Sequence, residues 1–426
     1  MDRRTFLQST AALASVAIAA NSASAQIASE TLDRDSDAFW ETIRAQYKVT
    51  DEFTNLNAGH WGIMSEPVLE AFVEHTRYIN SYSSYYVSHG ITVYPDAENY
   101  GVDRREVISM LARKLGVSPE ELVLTRGATE SLQLLISGYN NLEEGDTVLF
   151  GDAAYYSMEA EMRHLENYRG CKVVELKVPD PATFENQIDV FEQGIKNNPK
   201  TKLLLLTHMA NRTGVIIPIK EITAMARGYG VDVIVDAAHS WGQYDFDFAD
   251  QGVDFVGFNL HKWIGAPLGV GLMYIKKDRI NDIDTKSSKG EPGNTNINTR
   301  TQTGTMNLAA VMAVKDALLF LDNIGMDHID RRFKALRNQW VKEFLDDDRV
   351  DILNPEDERM YAGLTSFRIK AHPDARELGA TLLRDYNVNT APIPELNGIR
   401  VAPGLYSSKA DMDKLANAIK DILSKM

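Results

Sequence analysis

The chain contains a single cysteine, Cys171, in 426 residues, so no intrachain disulfide can form and packing must hold it together. It has no basic excess: 45 Lys and Arg against 60 Asp and Glu leave a net charge of −15, which excludes a non-specific nucleic-acid surface. It lacks HExxH and any Cys/His spacing suited to a metal, so no metal site is expected. It also lacks the G-x-S-x-G elbow that a hydrolase using His239 or His208 would need. No internal repeat and no low-complexity tract interrupts it. What is present is 44% hydrophobic and 25% charged, a composition that builds one large core and a smaller second domain.

The first residues read differently from the rest. "MDRRTFLQSTAALASVAIAANSASAQ" sets Arg3 and Arg4 ahead of Phe6 and Leu7, then an Ala-rich run, then Ala23-Ser24-Ala25 before Gln26. This is similar to a twin-arginine export signal over residues 1–25, with cleavage after Ala25 and a periplasmic or secreted destination. The apolar run is shorter than the about 20 residues that span a bilayer, so no membrane anchor is expected once the signal is removed.

Beyond an N-terminal arm (26–75), β-like runs alternate with helical ones. "ELVLT", "DTVLF", "KVVELKV", "KLLLLTH", "VDVIVD", "VDFVGF" and "GVGLMYIK" are short and almost wholly apolar, as strands buried on both faces are. Their alternation with helices such as "IKEITAMARGYG" predicts an α/β domain over 76–305 with a mostly parallel sheet. A polar Gly/Thr/Asn-rich loop (287–305) follows, then a long helical stretch from about Met306 to Asp346. A smaller α+β domain closes the chain, so that 306–426 holds the linking helix and that domain.

Three polar signals fall at strand ends, where open α/β sheets bind ligands. In "TRGATES", Gly127, Ala128 and Thr129 open a helix and can present N–H groups and a hydroxyl to an anion. Asp236 ends the apolar run "VDVIVD", where a carboxylate is costly without a cationic or hydrogen-bonding partner. Lys262 sits in "FNLHKWIGAPLGVG" between His261 and Trp263, where desolvation would free a neutral, nucleophilic amine. A phosphate cradle, a strand-end acid and a strand-end lysine together describe one ligand: pyridoxal phosphate.

These motifs, with "THMANRTGVIIP", "VDAAHSWGQ" and "IRVAPGLY", resemble the class V aminotransferase group of fold-type I pyridoxal-phosphate enzymes, in its isopenicillin N epimerase-like branch. The likeness implies an internal aldimine on Lys262, Asp236 on the pyridine nitrogen, and His239 near the ring hydroxyl. It implies Asn211 in the ring and substrate environment, with Gly127, Ala128, Thr129 and His261 around the phosphate. Tyr155, rather than Tyr156, would stack on the ring. Gly304 and Thr305 would reach the phosphate of a neighbouring subunit in a homodimer with shared sites. Asn57, Gly59, His60, Trp61 and Gly62 would form the substrate loop, and Arg400 would pair with the substrate carboxylate.

Three positions depart from that branch: Asn259 replaces a hydroxyl residue, Leu268 replaces an arginine, and "GTMN" lacks an aspartate. The resemblance implies an enzyme acting at Cα of an amino acid, by epimerisation or racemisation, with carbon–sulfur lysis and transamination as alternatives. A desulfurase would need a cysteine in the C-terminal domain, whereas Cys171 lies in a strand of the large one. A binding protein that kept the fold alone would have lost Lys262 or Asp236. The aromatic segment 77–90, with Tyr82, Tyr85, Tyr86 and His89, reads as packing in preference to a pocket wall.

Overall fold

A computed structural model describes residues 33–88, 100–286, 291, 293–301 and 304–426. Residues 1–25, expected from the sequence to be an export signal, and His89 lie outside them.

Consecutive side chains in the apolar runs point to opposite faces, and both faces are covered. Leu203, Leu205 and Ile234 join one apolar cluster, while Leu204, Leu206, Val233 and Val235 join the other. The result is a seven-stranded sheet in the order Leu122–Thr125, Gly271–Ile275, Phe255–Asn259, Asp232–Asp236, Thr201–Thr207, Thr147–Gly151, Lys172–Leu176. The last five run parallel, and Gly271–Ile275 runs antiparallel to both its neighbours. The expected mostly parallel α/β sheet is therefore found, with one reversed strand. Cys171 is buried and stands one residue ahead of the edge strand Lys172–Leu176, not inside a strand as the sequence reading had it.

The helical stretch after the loop is two helices, not one. Leu308–Ile324 packs on Glu66–Tyr82, and Met326–Val341 turns away to the second domain. The break is Gly325, whose φ of 95° is left-handed backbone that suits glycine. In the second domain a four-stranded antiparallel sheet, ordered Ala391–Ile393, Gly398–Val401, Thr365–Ile369, Val350–Ile352, packs against helices around Trp340, Phe367, Ile399 and Ile419.

The N-terminal arm joins that domain by backbone pairing. Thr54–Asn55 runs parallel to Val388–Asn389, and Asn57 bridges Ala402, which carries residues 57–62 to the strand bearing Arg400. The aromatic segment packs on its neighbours: buried Tyr86 bonds Asp103 and meets the Tyr78 ring edge-on. Among the described residues no helix is long and apolar enough to cross a membrane, and no group of His, Cys, Asp and Glu is placed to hold a metal ion.

Candidate active site

Asp232–Asp236 and Phe255–Asn259 end side by side, and their last residues and the turns beyond them form the floor of the site. Asp236 is only 5% exposed, and its Oδ1 accepts the Ala238 N–H at 2.9 Å. The following residues make a turn, so this is a local turn contact and not a helix cap. Burial raises the Asp236 pKa, the Ala238 N–H and Lys262 opposing it, and no cation lies within ion-pair distance among the described residues. A buried carboxylate without a salt partner is what a protonated ring nitrogen would satisfy.

Lys262 Nζ lies 2.8 Å from His239 Nε2. The other ring nitrogen, Nδ1, accepts the Trp263 indole N–H at 3.4 Å, which places the proton of a neutral imidazole on Nε2, facing the lysine. Burial first, then Lys262, Arg400 and His261, hold the His239 pKa well below its usual value, so the ring is neutral. Burial draws Lys262 down to about 8, Asp236 opposing and Arg400 assisting. The neutral amine is thus reached at a far lower pH than in an ordinary lysine, and His239 Nε2 can hydrogen-bond it.

Arg400 is buried on Gly398–Val401. Its Nη1 donates to the Asn211 carbonyl at 3.0 Å and its Nη2 to Asn57 Oδ1 at 3.1 Å, while Nε has no partner. No carboxylate pairs with it among the described residues, and burial lowers it only to about 10, so it stays charged. A buried guanidinium held by neutral groups is a receptor for an anion.

The helix Ala128–Gly138 begins where the sequence predicts a phosphate cradle. Ala128 N–H donates to Asn259 Oδ1 at 2.8 Å, Thr129 is exposed, and buried His261 Nδ1 has no partner. A Cβ on Gly271 would lie 2.4 Å from Gly127 Cα, so two glycines let strand and helix start approach. Asn259, read from sequence only as a departure, thus holds the helix start directly.

Tyr155 caps the next helix, its ring 4.5 Å from that of exposed Tyr156. Burial, with Tyr156, pushes the Tyr155 phenol up to about 12. Arg212 fixes this loop: its Nη1 donates to the Asp152 carbonyl at 3.0 Å and its Nη2 to Glu159 at 3.1 Å. Neither Arg212 nor the Trp263 contact was found from sequence. The one signal was their position, each next to a residue singled out for chemistry.

Over the site runs the N-terminal loop. Gly62 N–H donates to the His261 carbonyl at 3.0 Å, and a Cβ on Gly62 would sit 2.0 Å from the Lys262 carbonyl. Gly59 packs on Ala402 and Leu364, with its Cβ position 3.7 Å from Arg400 Cζ. The structure therefore brings Asn57, Gly59, His60, Trp61, Gly62, Arg400, Lys262, His239, Asp236, His261 and Asn211 together. Gly304 and Thr305 stand apart on the surface, Gly304 with a φ of 61° and nothing near its Cβ position. His208 is a core residue, packed on Tyr244 and Phe246 and drawn by burial to about 3.

The residues fit pyridoxal phosphate. Asn211 Oδ1 and His261 Nδ1 are buried without partners, beside an unpaired acid and a depressed lysine. Comparison with known proteins agrees. Isopenicillin N epimerase of Streptomyces clavuligerus is 24% identical over 407 residues, 90% of this chain and 98% of its own. A cysteine desulfurase of Haloferax volcanii is 25% identical over 83% of this chain and 85% of its own. The crystal structure of the cysteine desulfurase CsdA from Escherichia coli superposes with a TM-score of 0.75 at 22% identity, covering 91% of this chain and 99% of its own. The class-V aminotransferase family matches residues 76–391, most of the chain. This chain therefore belongs to the class-V aminotransferase family and is an enzyme whose cofactor is pyridoxal phosphate.

Proposed function

We propose that this enzyme epimerises or racemises an α-amino acid by moving the proton at Cα. The observation that carries this reading is a buried, acid-free Arg400 facing the same small space as a lysine whose pKa is drawn down to about 8. Pyridoxal phosphate, when bound, supplies the aldehyde that captures the substrate amine and a ring that takes up the electron pair left at Cα. Arg400 holds the substrate carboxylate, its buried Nε having no partner within the protein. Asp236 would pair with the ring nitrogen and keep it protonated. Lys262 is the base at Cα, and His239 Nε2 positions its amine. Retention of the carboxylate on Arg400 argues against decarboxylation.

The sole cysteine, Cys171, is buried ahead of the edge strand of the large domain, which argues against sulfur transfer through a cysteine. Incubating the enzyme with L- and D-amino acids and S-conjugates in heavy water tests the reading. Cα deuteration with inversion is the expected result. Released thiol with keto-acid would instead indicate lysis, and keto-acid with an aminated acceptor would indicate transamination.

Two further readings concern the whole assembly. The segment 1–25 would export the folded protein, so Arg3→Lys with Arg4→Lys should trap the precursor inside, and undiminished periplasmic accumulation would rule the route out. Exposed Gly304 and Thr305 would complete a partner's phosphate site in a homodimer. A monomer that binds cofactor tightly and turns over normally would refute that.

A further inference from the structure

Inverting Cα requires a proton to leave one face and another to arrive at the opposite face, which a second acid–base group opposite Lys262 would supply. The N-terminal loop is pinned at both ends over that space. At one end a Cβ on Gly59 would lie 3.7 Å from Arg400 Cζ, and at the other the Gly62 N–H donates to the His261 carbonyl while a Cβ there would meet the Lys262 carbonyl. Residues 60 and 61 therefore span the gap between the carboxylate receptor and the lysine. The turn is closed by the His60 N–H donating to the Asn57 carbonyl at 3.1 Å, and the His60 ring lies 4.5 Å from that of Trp61. No described residue hydrogen-bonds the imidazole nitrogens, and both side chains are exposed.

We propose that His60 is the proton donor and acceptor on the face of Cα opposite Lys262, an inference that rests on the epimerase reading. In one direction the neutral Lys262 amine takes the Cα proton, and the His60 imidazolium delivers its own proton to the other face. Lys262 ends as the ammonium and His60 as the neutral ring. In the reverse direction His60 takes the proton and the Lys262 ammonium returns one. Exposed His60 then exchanges its proton with water, which resets the pair.

The lowered pKa of the ring favours its neutral form, the one that takes a proton. Partial burial, then Arg400 and Lys262, lower its pKa. A substrate carboxylate on Arg400 would offset one of those cations and favour the protonated ring when the substrate is in place. Tyr155 is a weaker candidate, because a phenol at about 12 is a poor base at neutral pH.

The experiment follows Cα deuterium and chirality in heavy water for wild type, His60→Gln and His60→Ala, starting from each enantiomer of a substrate the wild type inverts. The expected result is that both variants lose inversion by about 100-fold or more, as removal of a positioned acid–base group predicts. They should still exchange Cα with retention from the enantiomer served by Lys262. Added imidazole should restore inversion to His60→Ala, which repair of a purely structural defect would not do. Inversion at the wild-type rate in His60→Gln, or equal loss of both exchange and inversion without rescue, overturns the assignment to His60 and leaves the epimerase reading standing. A wild type that exchanges Cα yet inverts no amino acid overturns both.

Discussion

Lys262 Nζ and His239 Nε2 face each other at 2.8 Å, and the indole of Trp263 holds the far side of the imidazole. The lysine's hydrogen-bond partner is therefore a neutral ring. With Lys262 drawn down to about 8 from 10.5, the neutral form that attacks an aldehyde grows as pH rises toward 8. Uptake of pyridoxal phosphate by the apoenzyme should accelerate about tenfold per pH unit below that point and level off above it. Stopped-flow absorbance checks this. A rate that keeps climbing to pH 10 would mean an ordinary lysine.

Asp236→Asn should retain cofactor yet lose roughly 100-fold or more in turnover, since an amide cannot hold the ring nitrogen protonated. Wild-type turnover in that variant would remove Asp236 from the chemistry.

Arg400→Lys should raise KM far more than it lowers kcat. A single ammonium cannot reproduce the fork now held by Asn57 and Asn211, and a hydrogen bond to a charged group is worth about 1.5–3 kcal/mol. The expected loss in kcat/KM is roughly ten- to a hundredfold, and an unchanged KM would contradict a carboxylate site.

Gly62→Ala places a methyl 2.0 Å from the Lys262 carbonyl, a backbone atom with no room to yield. Displacing the loop should cost about 1–3 kcal/mol in stability and most of the activity, read as a lower Tm in thermal unfolding and a raised KM. A Tm and KM equal to wild type would show that the loop is not packed there.

Much of this was legible in the sequence, for local reasons. Runs such as "KLLLLTH" and "VDVIVD" keep their polar residues to the ends and are apolar at consecutive interior positions, so burial on both faces and a parallel sheet follow. Asp236 and Lys262 were visible because each is a charge set beside such a run. The reversal of Gly271–Ile275 was not visible, because a strand buried on both faces looks the same in either direction. Nor was the pairing of Asn57 with Ala402, since contacts across the whole chain leave no local pattern. Gly325 lies inside the stretch read as one helical run, because only packing decides whether such a glycine bends a helix or ends it. Arg212 had no legible role, because its partners are the backbone carbonyl of Asp152 and the side chain of Glu159, reached by folding alone.

The most direct test is to reduce the holoenzyme with borohydride and map the modified peptide. The account predicts loss of the visible band and one pyridoxyl group fixed on Lys262, absent from a folded Lys262→Ala variant. A pyridoxyl group on any other lysine, or an unchanged adduct in Lys262→Ala, would contradict it.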